Sequence, residues 1–118
     1  MDNPLAMKGK VVLIQFPFDD LSSSKVRPVY CLTNPIGTYQ HVIFALITSQ
    51  ADKFSSKTDV KIDSSSTDFL SSGLVKTSVI RLDHLITLRQ SMIRRELGHL
   101  SVATQSTIAS TLCKILEA

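Results

Sequence analysis

Cysteine and long hydrophobic runs are both scarce in this sequence. Its two cysteines, Cys31 and Cys113, stand among apolar residues without metal-ligand spacing, so we expect buried, reduced thiols. No segment approaches the ~20 apolar residues that a bilayer-spanning helix needs. The opening residues, MDNPLAMKGK, also lack the charged start and apolar run of a secretory signal. These absences predict a cytoplasmic protein that does not enter a membrane.

Charged residues are spread along the chain and form no tail of either sign. The 118 residues carry a formal net charge of +3, and the pI is near 9.0. A mild basic excess suits a polyanion or an acidic protein partner. With 43% hydrophobic residues and no internal repeat, the chain is long enough for one core and too short for two ordinary domains. We therefore expect a single domain over residues 1–118.

Two apolar strands separated by a polar loop lie near the start of the chain. Val11 to Phe16, and a second run from Arg27 or Pro28 to Leu32, are β-branched and aromatic and too short for helices. The loop between them, from Phe18 to Val26, holds two aspartates, three consecutive serines and a lysine. Such a loop adds nothing to a core, and it leads to an arginine that the following proline holds extended. This loop is the first place where the sequence suggests chemistry.

Further strands and one helix follow. The most hydrophobic strand, His41 to Ile47, ends in Thr48-Ser49-Gln50, which places small polar side chains at the rim of the core. Shorter strands are expected over Asp59–Asp63 and Met92–Leu97, and a serine-rich loop over residues 64–73. Thr77–Leu82 and Leu85–Leu88 are expected to form either two short strands or one bent strand. A terminal helix capped by Ser101 is expected because apolar residues recur at helical spacing: Ile108, Leu112, Ile115 and Leu116. The pattern predicts a mainly β fold, a small, bent antiparallel sheet or barrel closed by a C-terminal helix.

Arg81 and Asp83 fall on one face of their predicted strand, because side chains alternate along a strand. Ile80 and Leu82 point to the other face. A charged pair two residues apart can form a salt bridge or converge on a substrate.

Several motifs stand in a specific order along the chain. GKVVLIQFPFDD is followed by SKVRPVYCL, then by a strand ending in Thr-Ser-Gln, then by SVIRLDHLITL and MIRRELGHLS before a helix. In combination they resemble the MazF/PemK-like toxins of type II toxin-antitoxin systems over nearly the whole chain. The resemblance implies an SH3-like barrel of antiparallel strands and a symmetric homodimer. It also implies a sequence-specific endoribonuclease that cleaves single-stranded mRNA without a metal, through a 2′,3′-cyclic phosphate, and is blocked by a cognate acidic antitoxin that would order the loop 18–26.

The resemblance assigns four residues to catalysis. Arg27 matches the arginine before the proline of the second strand, and its planar, always-charged fork suits the negative charge that develops on the phosphate. Thr48 matches the threonine that binds the same phosphate, and Ser49 could share its role. Arg81 and Asp83 match an Arg-x-Asp acid and base pair, although a salt bridge between adjacent strands explains them equally well.

The general base is the role that the sequence leaves open. In the MazF branch an acid stands five residues before the arginine, and that position here is Ser22, which cannot act as a base at neutral pH. Asp83, or Asp19 or Asp20 in the loop, would have to replace it, or proton removal is left to water.

RNA contacts are expected around the first loop and the end of the third strand. The residues concerned are Asp20, Ser22, Ser24, Lys25, Ser49, Gln50 and His84. The basic side chains of Arg89, Arg94 and Arg95 could contact phosphates without reading sequence. The three histidines are scattered, without the pairing of a histidine dyad or a metal site, so neither a metal nor another cofactor is expected.

Two other functions remain compatible with the sequence. One is a gyrase-directed toxin of the same fold, whose activity would survive Arg27→Ala and fail on changes to the terminal helix. The other is a catalytically inactive SH3-like module that binds RNA or protein, which the serine at position 22 keeps open. Fold analogy alone does not separate them.

Overall fold

The computed structural model describes residues 6–15 and 25–118. Within these residues, six strands form one antiparallel sheet, accompanied by two α-helices and two short 3₁₀ turns. The elements in chain order are β1 Lys10–Gln15, β2 Val26–Cys31, β3 His41–Thr48, β4 Asp59–Ile62, α1 Asp68–Ser72, β5 Ser78–Arg89, β6 Ile93–His99 and α2 Val102–Glu117. The mainly β fold with a C-terminal helix is thereby confirmed.

The sheet is rolled, as its connectivity requires. The strand order is β4-β5-β3-β2-β1-β6, so β5 and β6 are four strand spacings apart. A flat sheet would separate them by ~19 Å, whereas the link from Arg89 to Ile93 reaches at most ~14 Å. The sheet must therefore curl until these strand ends meet. The expected barrel is nevertheless open, because β4 and β6 remain edges among the described strands.

Each face of the rolled sheet carries its own apolar cluster. One cluster, around Val11, Tyr30 and Ile80, is covered by α2 through Ile108, which is 1% exposed. The other cluster lies on the opposite face and consists of Met7, Val12, Ile14, Val29, Cys31, Val42 and Phe44. Strict alternation along β1, β2 and β3 separates the two sets, as period-two side chains require. Burial raises the pKa of the Cys31 thiol to about 12, so it stays protonated.

The helices join each other through one buried carboxylate. Asp68, at the start of α1, accepts hydrogen bonds from Ser101 N at 3.0 Å and Ser101 Oγ at 3.1 Å, and a further one from Thr104 Oγ1. Ser101 is the N-cap of α2, as predicted, and its hydroxyl accepts from Thr104 N at 3.3 Å. α1 also packs closely on β6, since a Cβ added at Gly98 would lie 1.9 Å from the Ser71 carbonyl oxygen.

Several local predictions were wrong in detail. The segment 64–73 contains α1 and is not a plain loop. Of the two alternatives for residues 77–88, the single bent strand is confirmed, because β5 runs unbroken over Ser78–Arg89. The last strand is Ile93–His99 rather than Met92–Leu97, and β2 begins at Val26 and ends at Cys31. Cys113 and Leu116 lie on the solvent side of α2 instead of its buried stripe, and both cysteines are free thiols. In the described part of the chain, no helix has the length and apolar character to cross a membrane.

Candidate functional site

Arg27 and Thr48 meet at one end of the sheet. β2 and β3 pair with Val29 opposite Leu46, and continuing that register toward the end of β3 brings Arg27 opposite Thr48. Both residues border two adjoining cavities of about 430 and 290 Å³. Two residues 21 positions apart in the chain therefore share one concave surface.

Local backbone chemistry places these two side chains at the rim. Pro28 favours extended backbone at Arg27, and Arg27 is exposed at the start of β2. Thr48 is the last residue of β3, and its Oγ1 accepts a hydrogen bond from Gln50 N at 3.1 Å, which turns the chain away. A hydroxyl that accepts one bond can still donate its own proton to a ligand.

Arg81 lies on the same face of the sheet as Arg27 and Thr48. β5 runs between β3 and β4, with Arg81 opposite Leu46 on one side and Asp59 on the other. Its Nε is 3.9 Å from Asp59 Oδ1 and 3.9 Å from Asp83 Oδ1, distances that suit ion pairs but not hydrogen bonds. Within the described residues this buried Nε has no hydrogen-bond partner. The guanidinium is thus flanked by two carboxylates without being saturated by them.

Asp59 is a site neighbour that the sequence did not reveal. Its side chain is 1% exposed, and it accepts hydrogen bonds from Ser55 N at 2.9 Å and Thr58 Oγ1 at 3.1 Å. Burying a carboxylate is costly unless hydrogen bonds of this kind offset the loss of water. The sequence predicts Asp59 only as the start of a half-exposed strand. Its place opposite Arg81 depends on how β4 pairs with β5.

Asp83 and His84 lie where β5 departs from regular pairing. Arg81 pairs with Leu46 and Leu85 pairs with Ala45, so residues 82–84 form an irregular bulge in β5. His84 Nε2 is 3.7 Å from Asp83 Oδ1, and His84 borders the smaller cavity beside Arg27, Thr48 and Arg81. The bulge therefore places the His84 imidazole at the smaller cavity, beside the guanidinium groups of Arg27 and Arg81 and the Thr48 hydroxyl.

The sequence matches the family described as PemK-like, MazF-like toxin of type II toxin-antitoxin system over residues 7–116. The chain belongs to this toxin family. No curated protein sequence matches it. Because the match spans residues 7–116, the PemK/MazF assignment covers every strand that borders the two cavities.

Solved MazF structures share the fold of this PemK/MazF-like toxin. The Mycobacterium tuberculosis toxin MazF-mt6 is 23% identical, with a TM-score of 0.67 over 92% of this chain and 96% of that one. A mycobacterial endoribonuclease in complex with its cognate antitoxin is 19% identical, with a TM-score of 0.71 over 94% of each chain. The MazE-MazF complex of Deinococcus radiodurans is 18% identical, with a TM-score of 0.73 over 98% of each chain. The expected resemblance to MazF toxins is confirmed, and at these identities the structural likeness concerns the fold.

The structure of this toxin places most of the sequence-predicted site residues. Arg27, Thr48, Ser49 and Gln50 border the larger cavity, and Arg81 and His84 border the smaller one with Arg27 and Thr48. Asp83 contacts Arg81 and His84 at the edge of this group. Lys25 is exposed just before β2 and borders neither cavity. Asp19, Asp20, Ser22 and Ser24 lie outside the described residues.

Lys76 and Ser78 complete the larger cavity and were not expected from the sequence. They lie at the entry to β5, whose first residues pair with the end of β3, so the fold brings them beside Thr48. Nothing in the local sequence distinguishes Lys76 from other exposed lysines. Arg27, Lys76 and Arg81 give the two cavities a basic lining that suits a phosphate ester. The described residues contain no cluster of three or more His, Cys, Asp or Glu that could hold a metal ion.

Proposed function

We propose that this toxin is a sequence-specific endoribonuclease that cleaves single-stranded mRNA without a metal ion. The observation that carries the proposal is the convergence of Arg27 and Thr48 on one basic cavity in a chain of the PemK/MazF toxin family. The ribose 2′-hydroxyl attacks the adjacent phosphorus, the bond to the 5′-oxygen breaks, and a 2′,3′-cyclic phosphate and a 5′-hydroxyl result.

The charge and position of each side chain at the cavities suggest its role in the proposed reaction. The Arg27 guanidinium donates to the non-bridging phosphate oxygens, whose negative charge grows in the pentacoordinate transition state. The Thr48 hydroxyl donates to the same phosphate from the facing strand end. Arg81 adds a second guanidinium on the same face, and Asp83 beside it belongs to the proton-transfer machinery. DNA lacks the attacking hydroxyl and is expected to survive.

Substrate contacts extend along the larger cavity. Ser49 and Gln50 follow Thr48 at its rim, and their polar side chains can hydrogen-bond to base edges. Bases can be read in this way only when they are unpaired, which favours single-stranded RNA. Lys25, exposed just before β2, is available to neighbouring phosphates and contributes affinity without sequence information.

We further propose two protein partners. A cognate antitoxin with an acidic segment would bind the basic lining of Arg27, Lys76 and Arg81, and two of the solved structures described above are of a toxin with its antitoxin. A second copy of the chain would form a symmetric homodimer. Large exposed apolar side chains, including Leu70 at 91% and Val102 at 81%, would gain free energy by being buried in such an interface.

The decisive experiment incubates the purified protein with a long single-stranded RNA in EDTA and maps new 5′ ends by primer extension. Wild type should produce discrete cuts, and Arg27→Ala should lose them. Arg89→Ala is the matched control, because the Arg89 guanidinium lies over the Tyr39 ring at 4.9 Å, away from both cavities.

Intact RNA with stoichiometric, folded wild-type protein would overturn the ribonuclease assignment. Cuts that persist in Arg27→Ala would show that the Arg27 cavity is not the active site.

A further inference from the structure

We propose that His84 is the general base of this toxin and that Asp83 orients its imidazole ring. The inference rests on the proposed ribonuclease function and assigns the proton-accepting role that the serine at position 22 leaves open. It makes the bulge in β5 part of the active site.

The bulge explains how Asp83 and His84 come together. In a regular strand, consecutive side chains point to opposite faces, so Asp83 and His84 would lie on opposite sides of the sheet. Here three residues stand between the paired Arg81 and Leu85, whereas their partners Leu46 and Ala45 are consecutive. A bulge of this kind re-aims side chains and is frequent beside active sites. As a result, His84 Nε2 is 3.7 Å from Asp83 Oδ1.

The position of His84 distinguishes it from the other two histidines. Its side chain borders the cavity formed with Arg27, Thr48 and Arg81, and it is 46% exposed, so it is open to a ligand. His41 makes an edge contact with the Tyr39 ring at the far end of β3. His99 lies at the end of β6, opposite Lys10 in β1.

Asp83 is placed to orient rather than to accept the substrate proton. Its Oδ1 faces Arg81 Nε at 3.9 Å and His84 Nε2 at 3.7 Å. The 3.7 Å separation is within ion-pair reach but is too long for a hydrogen bond. In the tautomer with its proton on Nε2, the lone pair of the neutral ring is on Nδ1.

The charged groups around His84 define the proposed step. Asp83 faces it on β5, Arg81 and Arg27 share its cavity from β5 and β2, and Asp59 stands behind Arg81 on β4. His84 Nδ1 takes the proton of the 2′-hydroxyl while the 2′-oxygen bonds to phosphorus. The bond from phosphorus to the 5′-oxygen then breaks, and that oxygen takes a proton from water. The hydroxide that remains accepts the imidazolium proton, which restores neutral His84 and water.

The test measures single-turnover cleavage of a short single-stranded RNA between about pH 5 and about pH 8, the range over which imidazole changes charge. His84→Gln should cleave ~10²–10⁴-fold more slowly while RNA binding changes little. The fall in wild-type rate toward acidic pH, where a base is lost by protonation, should disappear. Asp83→Asn should be slower than wild type and should keep that fall. His99→Gln, the matched control, should behave as wild type.

A second variant separates loss of the base from loss of structure. In His84→Ala, added imidazole should restore cleavage in proportion to its concentration, which a merely structural defect would not allow. Full activity in His84→Gln would overturn the proposal. Loss of the acidic limb in Asp83→Asn instead would overturn it and leave Asp83 as the base. Failure of the ribonuclease function is distinguishable, because then wild type itself would not cut, or Arg27→Ala would cut as well as wild type.

Discussion

Asp59 and Asp68 are both buried aspartates, 3% and 7% exposed, yet their surroundings differ in kind. Asp68 receives three hydrogen bonds from the first turn of α2 and its cap, Ser101 and Thr104. Asp59 receives two from its own loop, and its third neighbour, Arg81 Nε, stays at 3.9 Å. The hydrogen bonds of Asp68 join α1 to α2. Asp59 instead lies within ion-pair distance of the Arg81 guanidinium and makes no hydrogen bond to its Nε. The carboxylate at the helix junction is therefore saturated with hydrogen bonds, whereas Arg81 Nε beside Asp59 has no hydrogen-bond partner among the described residues.

The sharpest test of this contrast is Arg81→Lys, which keeps the charge and removes the planar fork. We expect cleavage to slow by roughly 10²–10³-fold, as for loss of one transition-state donor. The urea midpoint of unfolding should change little, because Asp59 retains a cation nearby. Arg89→Lys serves as the control in the same cleavage assay. Unchanged cleavage in Arg81→Lys would show that Arg81 has a structural role and takes no part in catalysis.

Asp59→Asn should produce the next largest effect, because it removes the charge that steadies Arg81 while keeping a similar shape. We expect kcat to fall by roughly 10²-fold, as for misplacement of a catalytic group by about 1 Å, with little change in KM. Steady-state cleavage of a fluorescent RNA separates the two constants. Asp52→Asn, in the exposed turn Ala51–Lys53, is the control. A fall in stability with unchanged kcat would make Asp59 equivalent to Asp68.

Asp68→Asn should have the smallest effect and should act on stability alone. Burial opposes the charge of Asp68, but the hydrogen bonds from Thr104 and Ser101, with help from His99, hold its pKa below the ordinary 3.8. Between the folded pKa of Asp68 and the unfolded value of 3.8, the folded protein therefore binds fewer protons than the unfolded chain. The stability that the Asp68 carboxylate contributes is complete above pH 3.8 and is lost as the pH falls through the lower pKa of the folded state.

The variant should lower the free energy of unfolding by ~1–2 kcal/mol at neutral pH and should show a weaker loss of stability toward acid. Urea titrations at about pH 7 and about pH 3 measure both effects. Glu117→Gln, exposed at the end of α2, is the control. An equal loss of stability toward acid in Asp68→Asn and wild type would show that Asp68 does not stabilise the junction through its charge.

Local pattern explains which parts of the fold were predictable. The strands around Val12 and Phe44 are β-branched or aromatic runs, and Ser101 with Ile108 marks the start and buried face of α2. By contrast, α1 is only five residues long. Its Asp68 accepts a hydrogen bond from Ser101, 33 positions away, and no local sequence pattern predicts that contact. Leu116 satisfies the helical spacing but is 74% exposed, whereas Leu112 and Ile115 pack against the apolar cluster around Val11.

The candidate site divides in the same way. Arg27, Thr48, Arg81 and Asp83 could be named from sequence because motifs in a known order carry them. Asp59, Lys76 and the contact of Asp83 with His84 depend on strand register and on the irregularity between Arg81 and Leu85. Register is a property of two strands together, so it is read only after the sheet is assembled.

The pairing of β1 with β6 has a consequence for synthesis on the ribosome. Lys10 contacts Glu96, 86 residues later in the chain. At ~5–20 residues per second, the N-terminal strand waits roughly 4–17 s for its second neighbour to be translated. During that interval one edge of β1 offers unpaired backbone groups to other nascent chains or chaperones. The toxin's sheet is therefore completed only after β6 has been translated.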